Sequence, residues 1–465
     1  MKKILSLFMV IVLCLSLFGT MTIANAEEAK EFTDITEHWA KIDIDYMAAK
    51  GMVKGVSDTE FAPERPVTRA EFLALVLRSV GKDEAVYTSA GFDITEVIDP
   101  ILWDDANLDI DANITREEMT SVVVRAYKSY ISEEVPAGDV STFTDASEIS
   151  DWAKSYVASA YELGIINGID ADTFAPGKTA TRAQAVTIAR RLYRKTGKSL
   201  KVLSLGNSFS LDSMEYLYGM LDEYGYTDVT LGILYIGGCS LEKHYNNLTG
   251  NVAEYKYYKS TSGKWVITKE SIGIDGIKDE EWDIFVLQQA SGSSGLADTY
   301  EPYITDIIKY VKENCPNKDV EFAWNITWAH QHDSKQSSFA NNYGGDQMVM
   351  FNGIIDAFNK NVAPHEEFKY IFPVGITVQN ARTSYFGDTI TRDGYHMNYN
   401  IGRYMAALTW FGVLTDTPVD DFTYLPKGRP ITESEREVAK ESVINALANP
   451  LTITQSLLTE APNKN

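Results

Sequence analysis

The sequence predicts a multi-domain protein: an export signal, an all-helical repeat bundle, and an α/β domain of three layers built on a parallel sheet. Three observations carry this. The first 26 residues have the pattern of a secretory leader. A phrase with Thr-Arg followed two residues later by Glu or Gln then recurs three times before residue 197, each time ahead of apolar residues at helical spacing. From residue 198 the texture changes to short apolar runs separated by amphipathic stretches.

In the leader, Lys2 and Lys3 supply the positive start, residues 4–18 the apolar core, and Ala24, Asn25 and Ala26 a small-residue cleavage site. The run is short for a retained span and ends in that site. Cys14 follows Leu13 inside the run, which does not suit a lipoprotein site, and it leaves with the leader. The 465-residue chain has a net charge of −23, and losing two lysines and no acid takes it to −25. Such a surface repels phosphate backbones and excludes nucleic acid as a partner. Cys239 and Cys315 remain. Two cysteines cannot staple a chain of this size, so packed cores must hold it, and whether they pair stays open.

The three repeated phrases begin at Val67, Ile114 and Ala180. In each the Thr can cap a helix and the Glu or Gln three positions on can close a capping box. Matching frames start upstream at Phe32 and Phe143. Repeats of this length indicate bundled helical units. These segments resemble S-layer homology (SLH) repeats over residues 32–197, with copies at 32–82, 90–130 (degenerate) and 143–197. The resemblance implies a three-lobed helical bundle that binds secondary cell-wall polysaccharide, on the wall or S-layer of a Gram-positive bacterium. It also implies glycan-binding roles for Asp34, Trp39 and Arg69 in the first repeat and Asp145, Trp152 and Arg182 in the third. The middle repeat lacks the usual Trp-Ala frame, so only Arg116 transfers. A guanidinium suits an acidic substituent and a Trp face suits a sugar ring. The bland alternative makes the tryptophans core residues and the arginines solvated helix starts.

In the second domain, residues 199–450 with a tail at 451–465, strand-like runs fall at 202–205, 229–235, 284–288, 320–325 and 370–374, and an amphipathic helix at 300–314. Ligand sites in parallel sheets gather at the carboxyl ends of strands. Four stretches lie there. Gly206-Asn207-Ser208 ends the first run, and its Ser is a nucleophile, a helix cap, or both. It lacks the closing glycine of a nucleophile elbow. Gly237 and Gly238 let the backbone approach a ligand, or simply turn the chain. Gln288 and Gln289 follow the third run. Asp393 and His396 are spaced to share one face of a helical turn, where a carboxylate can hold an imidazole.

Together these stretches resemble the blocks of SGNH (GDSL-type) hydrolases, with Gly-Asn-Ser in place of Gly-Asp-Ser. The resemblance implies a flavodoxin-like fold and a Ser208–His396–Asp393 triad without a cofactor. It also implies an oxyanion hole from the N–H groups of Ser208 and Gly238. The family's third-block Asn is missing, and Gln288 or Gln289 could supply the amide instead.

His330, His332 and Asp333 have strand-compatible spacing for two metal ligands, yet no third and fourth ligand is evident, so the expectation is no metal and a substrate-lining role beside Trp324 and Trp328. His244 and His365 are expected at the surface, and Arg382 and Tyr385 are weighed as substrate contacts without being assigned. The reading is a wall-anchored serine esterase removing acyl groups, most simply acetyl, from carbohydrate. The alternatives are a glycan-binding protein on a decayed hydrolase fold, and a lipase-like enzyme favouring long acyl chains.

Overall fold

The computed structural model describes residues 31–82, 109–170, 172–420 and 422–461. The leader and the first part of the degenerate repeat, residues 90–108, lie outside these residues. Among the described residues no helix is long and apolar enough to cross a membrane.

The repeat region supplies α1 (Lys41–Ala49), α2 (Arg69–Ser79), α3 (Arg116–Tyr130), α4 (Lys154–Glu162) and α5 (Arg182–Arg194). Thr68, Thr115 and Thr181 cap α2, α3 and α5, and each has the reciprocal capping box. The residues just before these helices bridge each other in antiparallel fashion, Pro66 to Thr181, Thr68 to Asn113 and Thr115 to Thr179, closing the three units into a ring. The arginine after each capping Thr then reaches into a neighbouring unit. Arg182 donates to the carbonyls of Phe61 and Lys54, Arg116 to those of Phe174 and Asn167, and Arg69 to that of Asp109.

The second domain begins with β1 (Lys198–Gly206), α6 (Ser208–Met214), α7 (Leu217–Glu223), β2 (Tyr226–Tyr235) and α8 (Leu241–Thr249). It continues with β3 (Tyr255–Ser260), β4 (Val266–Ser271), α9 (Gly273–Lys278), β5 (Ile284–Leu287), α10 (Tyr303–Asn314) and β6 (Glu321–Asn325). It ends with α11 (Ser337–Tyr343), α12 (Gln347–Asn361), β7 (Phe368–Phe372), α13 (Val374–Arg382), α14 (Ile401–Thr415) and α15 (Glu433–Ala448). The sheet order is β4-β3-β2-β1-β5-β6-β7. The strands from β2 to β7 pair in parallel, and β3 and β4 extend the sheet as an antiparallel hairpin.

Numbered among themselves, the parallel strands run 2-1-3-4-5, the doubly wound order whose switch point lies beside the first strand. β5 is buried on both faces, as a parallel strand covered by helices must be. On one face pack α6, α7, α14 and α15; on the other, α8, α10 and α12. α10 shows why its sequence is helical: Ile304, Ile307, Ile308 and Val311 form one buried stripe. The exposed edge strand β4 carries Lys269 and Glu270, charges that discourage further strand pairing.

The two domains touch along α1, α5, α7 and β2. Tyr46 donates to Asp222 at 2.8 Å, Lys50 pairs with the same carboxylate, and Arg194 pairs with Asp228.

Candidate active site

β1 ends at the switch point. A Cβ on Gly206 would fall 1.9 Å from the Ser210 Oγ, so only glycine lets α6 start this close. Asn207 is extended and caps α6, its Oδ1 accepting from the Phe209 N–H at 3.0 Å. Ser208 is therefore the first helical residue and not itself the cap.

The Ser208 Oγ lies 2.7 Å from His396 Nε2, and His396 Nδ1 lies 2.7 Å from Asp393 Oδ2. Asp393 also accepts the backbone N–H groups of His396 and Tyr395 at 2.9 and 3.3 Å. Burial raises the Asp393 carboxyl, but the hydrogen bonds from His396 outweigh it and leave the group below its ordinary range. The expected helical turn is instead a tight loop, bridged between Thr391 and Met397 and closed by the Arg392 N–H on the His396 carbonyl.

Gly238 is exposed and left-handed, with φ of +61°. The Asn207 side chain donates to the Cys239 carbonyl at 3.3 Å and so ties this turn to the start of α6. Among the described residues neither the Ser208 N–H nor the Gly238 N–H has a hydrogen-bond partner.

The glutamines differ from expectation. Gln288 is fully buried, donates to Asn207 Oδ1 at 3.0 Å and accepts from Asn325 at 2.8 Å. Gln289 spends its amide on the carbonyl and hydroxyl of Thr299 and accepts the N–H groups of Leu241 and Ala290. Neither amide is left free for an oxyanion: Gln288 ties the Asn207 and Asn325 side chains together, and Gln289 holds backbone groups of Leu241, Ala290 and Thr299.

Other placements also correct the sequence reading. His330 and His332 lie in the loop after β6, not in a strand, and diverge. His330 is buried between the rings of Phe339 and Tyr395, whereas His332 is exposed and meets Asp388 at 2.8 Å. Trp324 packs in the core against Tyr300 and Phe368 rather than toward substrate. Trp328 is buried too, stacked on Phe209 with centroids 3.8 Å apart, and its N–H donates to the Tyr395 carbonyl. Arg382 is buried in an ion pair with Asp388, and Tyr385 stacks on Phe386. His244 is wholly buried against the Tyr255 hydroxyl, and His365 is half-buried beside Glu301. Cys239 and Cys315 are separate, buried free thiols.

Asp212 was missed from sequence. Fully buried one turn after Ser208, it meets Arg403 at 2.8 Å, Arg392 at 3.1 Å and the Met397 N–H at 2.9 Å. It thereby fastens the loop carrying His396 to the helix carrying Ser208. An acid on the apolar side of a short helix was the signal.

In the repeat bundle, Asp34 accepts the N–H groups of Phe61 and Ala62, and Asp145 those of Phe174 and Ala175. These carboxylates staple loops in which Ala62 and Ala175 both have positive φ. Trp39 and Trp152 are 62% and 51% exposed, so neither is a core residue.

Fold and site together define a protein of two parts: a bundle of capped helical repeats joined to a doubly wound α/β domain whose strand ends assemble a Ser-His-Asp cluster. Residues 31–73 and 142–186 match the S-layer homology domain. Residues 201–446, more than half of the chain, match the family described as domain of unknown function DUF4886, and the chain belongs to that family. A solved DUF4886 family protein from Bacteroides uniformis is 36% identical with a TM-score of 0.53, covering 57% of this chain and all of its own. Over 189 residues the chain is 38% identical to an amylopullulanase of Thermoanaerobacterium thermosulfurigenes, covering 37% of this chain and 10% of that protein. It is 26% identical over 218 residues to an S-layer protein of Bacillus thuringiensis subsp. finitimus, covering 42% of this chain and 26% of that protein. The chain thus spans only a small part of these two curated relatives.

Proposed function

We propose that the α/β domain is a serine esterase of SGNH type, held at the cell wall by its SLH repeats and removing acyl groups, most simply acetyl, from carbohydrate. The observation that carries this is the continuous Ser208–His396–Asp393 hydrogen-bond chain at the switch point of the sheet. His396 Nε2 takes the Ser208 proton as Oγ attacks the ester carbonyl, while Asp393 holds Nδ1–H and compensates the imidazolium. In this reading the N–H groups of Ser208 and Gly238, which have no partner among the described residues, receive the oxyanion. His396 then protonates the departing sugar hydroxyl. A water, deprotonated by the same imidazole, cleaves the acyl-serine and releases the acid.

The location rests on the SLH repeats, whose grooves take up secondary cell-wall polysaccharide in this reading. One observation favours a second possibility, a glycan-binding protein without turnover: both glutamine amides are committed elsewhere, leaving two backbone donors for the oxyanion. A fluorophosphonate separates the two. The esterase reading expects covalent labelling that peptide mapping places on Ser208 and that His396→Ala suppresses. An unlabelled wild-type chain would favour the binding protein.

A further inference from the structure

Successive residues of a strand face opposite sides, and β3 uses its two sides differently. Tyr255 and Tyr257 are buried on one side, with their hydroxyls bonded to His244 and to Asp279. Tyr258, on the other side, is half-buried and belongs to a different row. Its ring meets that of Tyr235 on β2 with centroids 5.6 Å apart, and that of Trp265, just before β4, at 6.3 Å, both edge to face. Ile267 lies opposite Tyr258 in the β3–β4 register and adds a side chain that is 46% exposed. Tyr235, Tyr258 and Trp265 are all half-buried. Among the described residues neither hydroxyl nor the indole N–H has a hydrogen-bond partner.

The row starts at the site. Tyr235 is the register partner of Gly206 at the end of β1. Its hydroxyl lies 3.4 Å from where a Cβ on Gly237 would sit, so the ring tip reaches the turn that carries Gly238. Lys256, opposite Tyr235 in the β2–β3 register, lies over the same ring at 5.9 Å. The far end is fastened to the rest of the molecule. In the turn between β3 and β4 the Thr261 carbonyl accepts from Tyr218 of α7 at 2.9 Å and from Arg190 of α5, and Lys264 pairs with Asp45 of α1. A hairpin fixed at its tip holds the row in place before any ligand arrives, which lowers the cost of binding one.

Tyr and Trp rings combine an apolar body with a polar tip. A pyranose is the complement, with C–H groups on its faces and hydroxyls around its rim. Three rings side by side offer room for more than one sugar, which a single monosaccharide ester would leave empty. We infer that this face of β2, β3 and β4 is the glycan subsite of the proposed esterase. The acylated sugar lies at Ser208, and its neighbours in the same chain run over Tyr235, Tyr258 and Trp265 toward the tip of the hairpin. The substrate class is thus an acylated oligo- or polysaccharide rather than a free sugar ester. The inference rests on the esterase reading for the acyl group alone; the row binds the chain whether or not an ester is cleaved.

The test assays the full chain on chemically O-acetylated xylose, glucose and N-acetylglucosamine and on the acetylated hexasaccharide of each. The readout is the ratio of kcat/KM for hexasaccharide over monosaccharide within each series. The expected ratio reaches about tenfold in at least one series, carried by KM, and Trp265→Ala and Tyr258→Ala each bring it close to one. Trp265→Phe, which retains a ring, keeps most of it, and Lys369→Ala, on β7 at the opposite edge of the sheet, keeps all of it. A ratio near one in every series, a ratio that survives both ring deletions, or one that Lys369→Ala lowers equally would overturn the subsite. So would a dimer in solution that Trp265→Ala splits, since a second copy would then cover the row. If the wild-type chain hydrolyses no ester, the esterase reading fails, and titration of Ser208→Ala with the same hexasaccharides decides the row by itself. Binding that Trp265→Ala weakens about tenfold keeps it, and no binding removes it.

Discussion

The Ser208 hydroxyl meets an imidazole whose other nitrogen is held by a carboxylate, and that carboxylate also accepts two backbone N–H groups. Asp393→Asn keeps the shape but removes the charge and favours the wrong tautomer. Its expected cost is about three to four orders of magnitude in kcat, with KM little changed. A loss below tenfold would remove Asp393 from the reading. A second prediction concerns His330, whose pKa burial lowers to about 4. In the unfolded chain it titrates near 6.5. Between those values the unfolded state binds a proton that the folded state refuses, so stability falls as pH drops from about 6.5 toward about 4. At about 1.4 kcal/mol per pKa unit the loss is up to about 3 kcal/mol. Urea denaturation at pH 7 and pH 5 should show a smaller loss in His330→Leu than in the wild type; identical losses would contradict the assignment.

At the scale of elements, His396 rides on a loop without regular structure, and Asp212 on α6 holds that loop. Removing one partner of a buried charge cluster leaves the others uncompensated, at about 3–5 kcal/mol. In the proposed esterase, Asp212→Ala should therefore lower the melting temperature and reduce turnover together, although Asp212 lies one turn behind Ser208. Normal stability with normal turnover would contradict this. The same scale shows what the sequence made legible. Capping boxes were readable because Thr and Glu or Gln act locally, three residues apart. The parallel strands β1, β2, β5 and β6 were readable because burial on both faces demands continuous apolar runs, whereas the edge strand β7 is mostly half-buried and was read two residues late. The β3–β4 hairpin was not readable, since β3 sets buried Tyr255 and Tyr257 among lysines and the edge strand β4 is exposed along most of its length, leaving no such run. Gln288 and Gln289 were found at the right strand end but with another task, because where an amide points is set by Asn207 and Asn325, distant in sequence, and by Thr299 in the loop that follows. His244, without chemical partners near it in sequence, was expected at the surface; only the packing of Tyr255 against it reveals its burial.

For the whole molecule, the anchoring repeats and the α/β domain meet through specific bonds, so the site is held in a set orientation to the bundle. Asp222 takes both Tyr46 and Lys50. Hydrogen bonds to a charged group contribute about 1.5–3 kcal/mol, so Asp222→Ala should lower the melting of the repeat bundle by several degrees. Hydrolysis of a small ester should stay at the wild-type rate. An unshifted calorimetric profile would mean the contact contributes nothing.

The measurement that bears most directly on the central claim is hydrolysis of p-nitrophenyl acetate by the full chain, run beside Ser208→Ala and His396→Ala. The account predicts turnover by the wild type that both substitutions abolish, each alone costing nearly as much as the pair. Equal rates in all three proteins, at the level of the uncatalysed reaction, would contradict it and leave the Ser208–His396–Asp393 cluster as part of a binding surface.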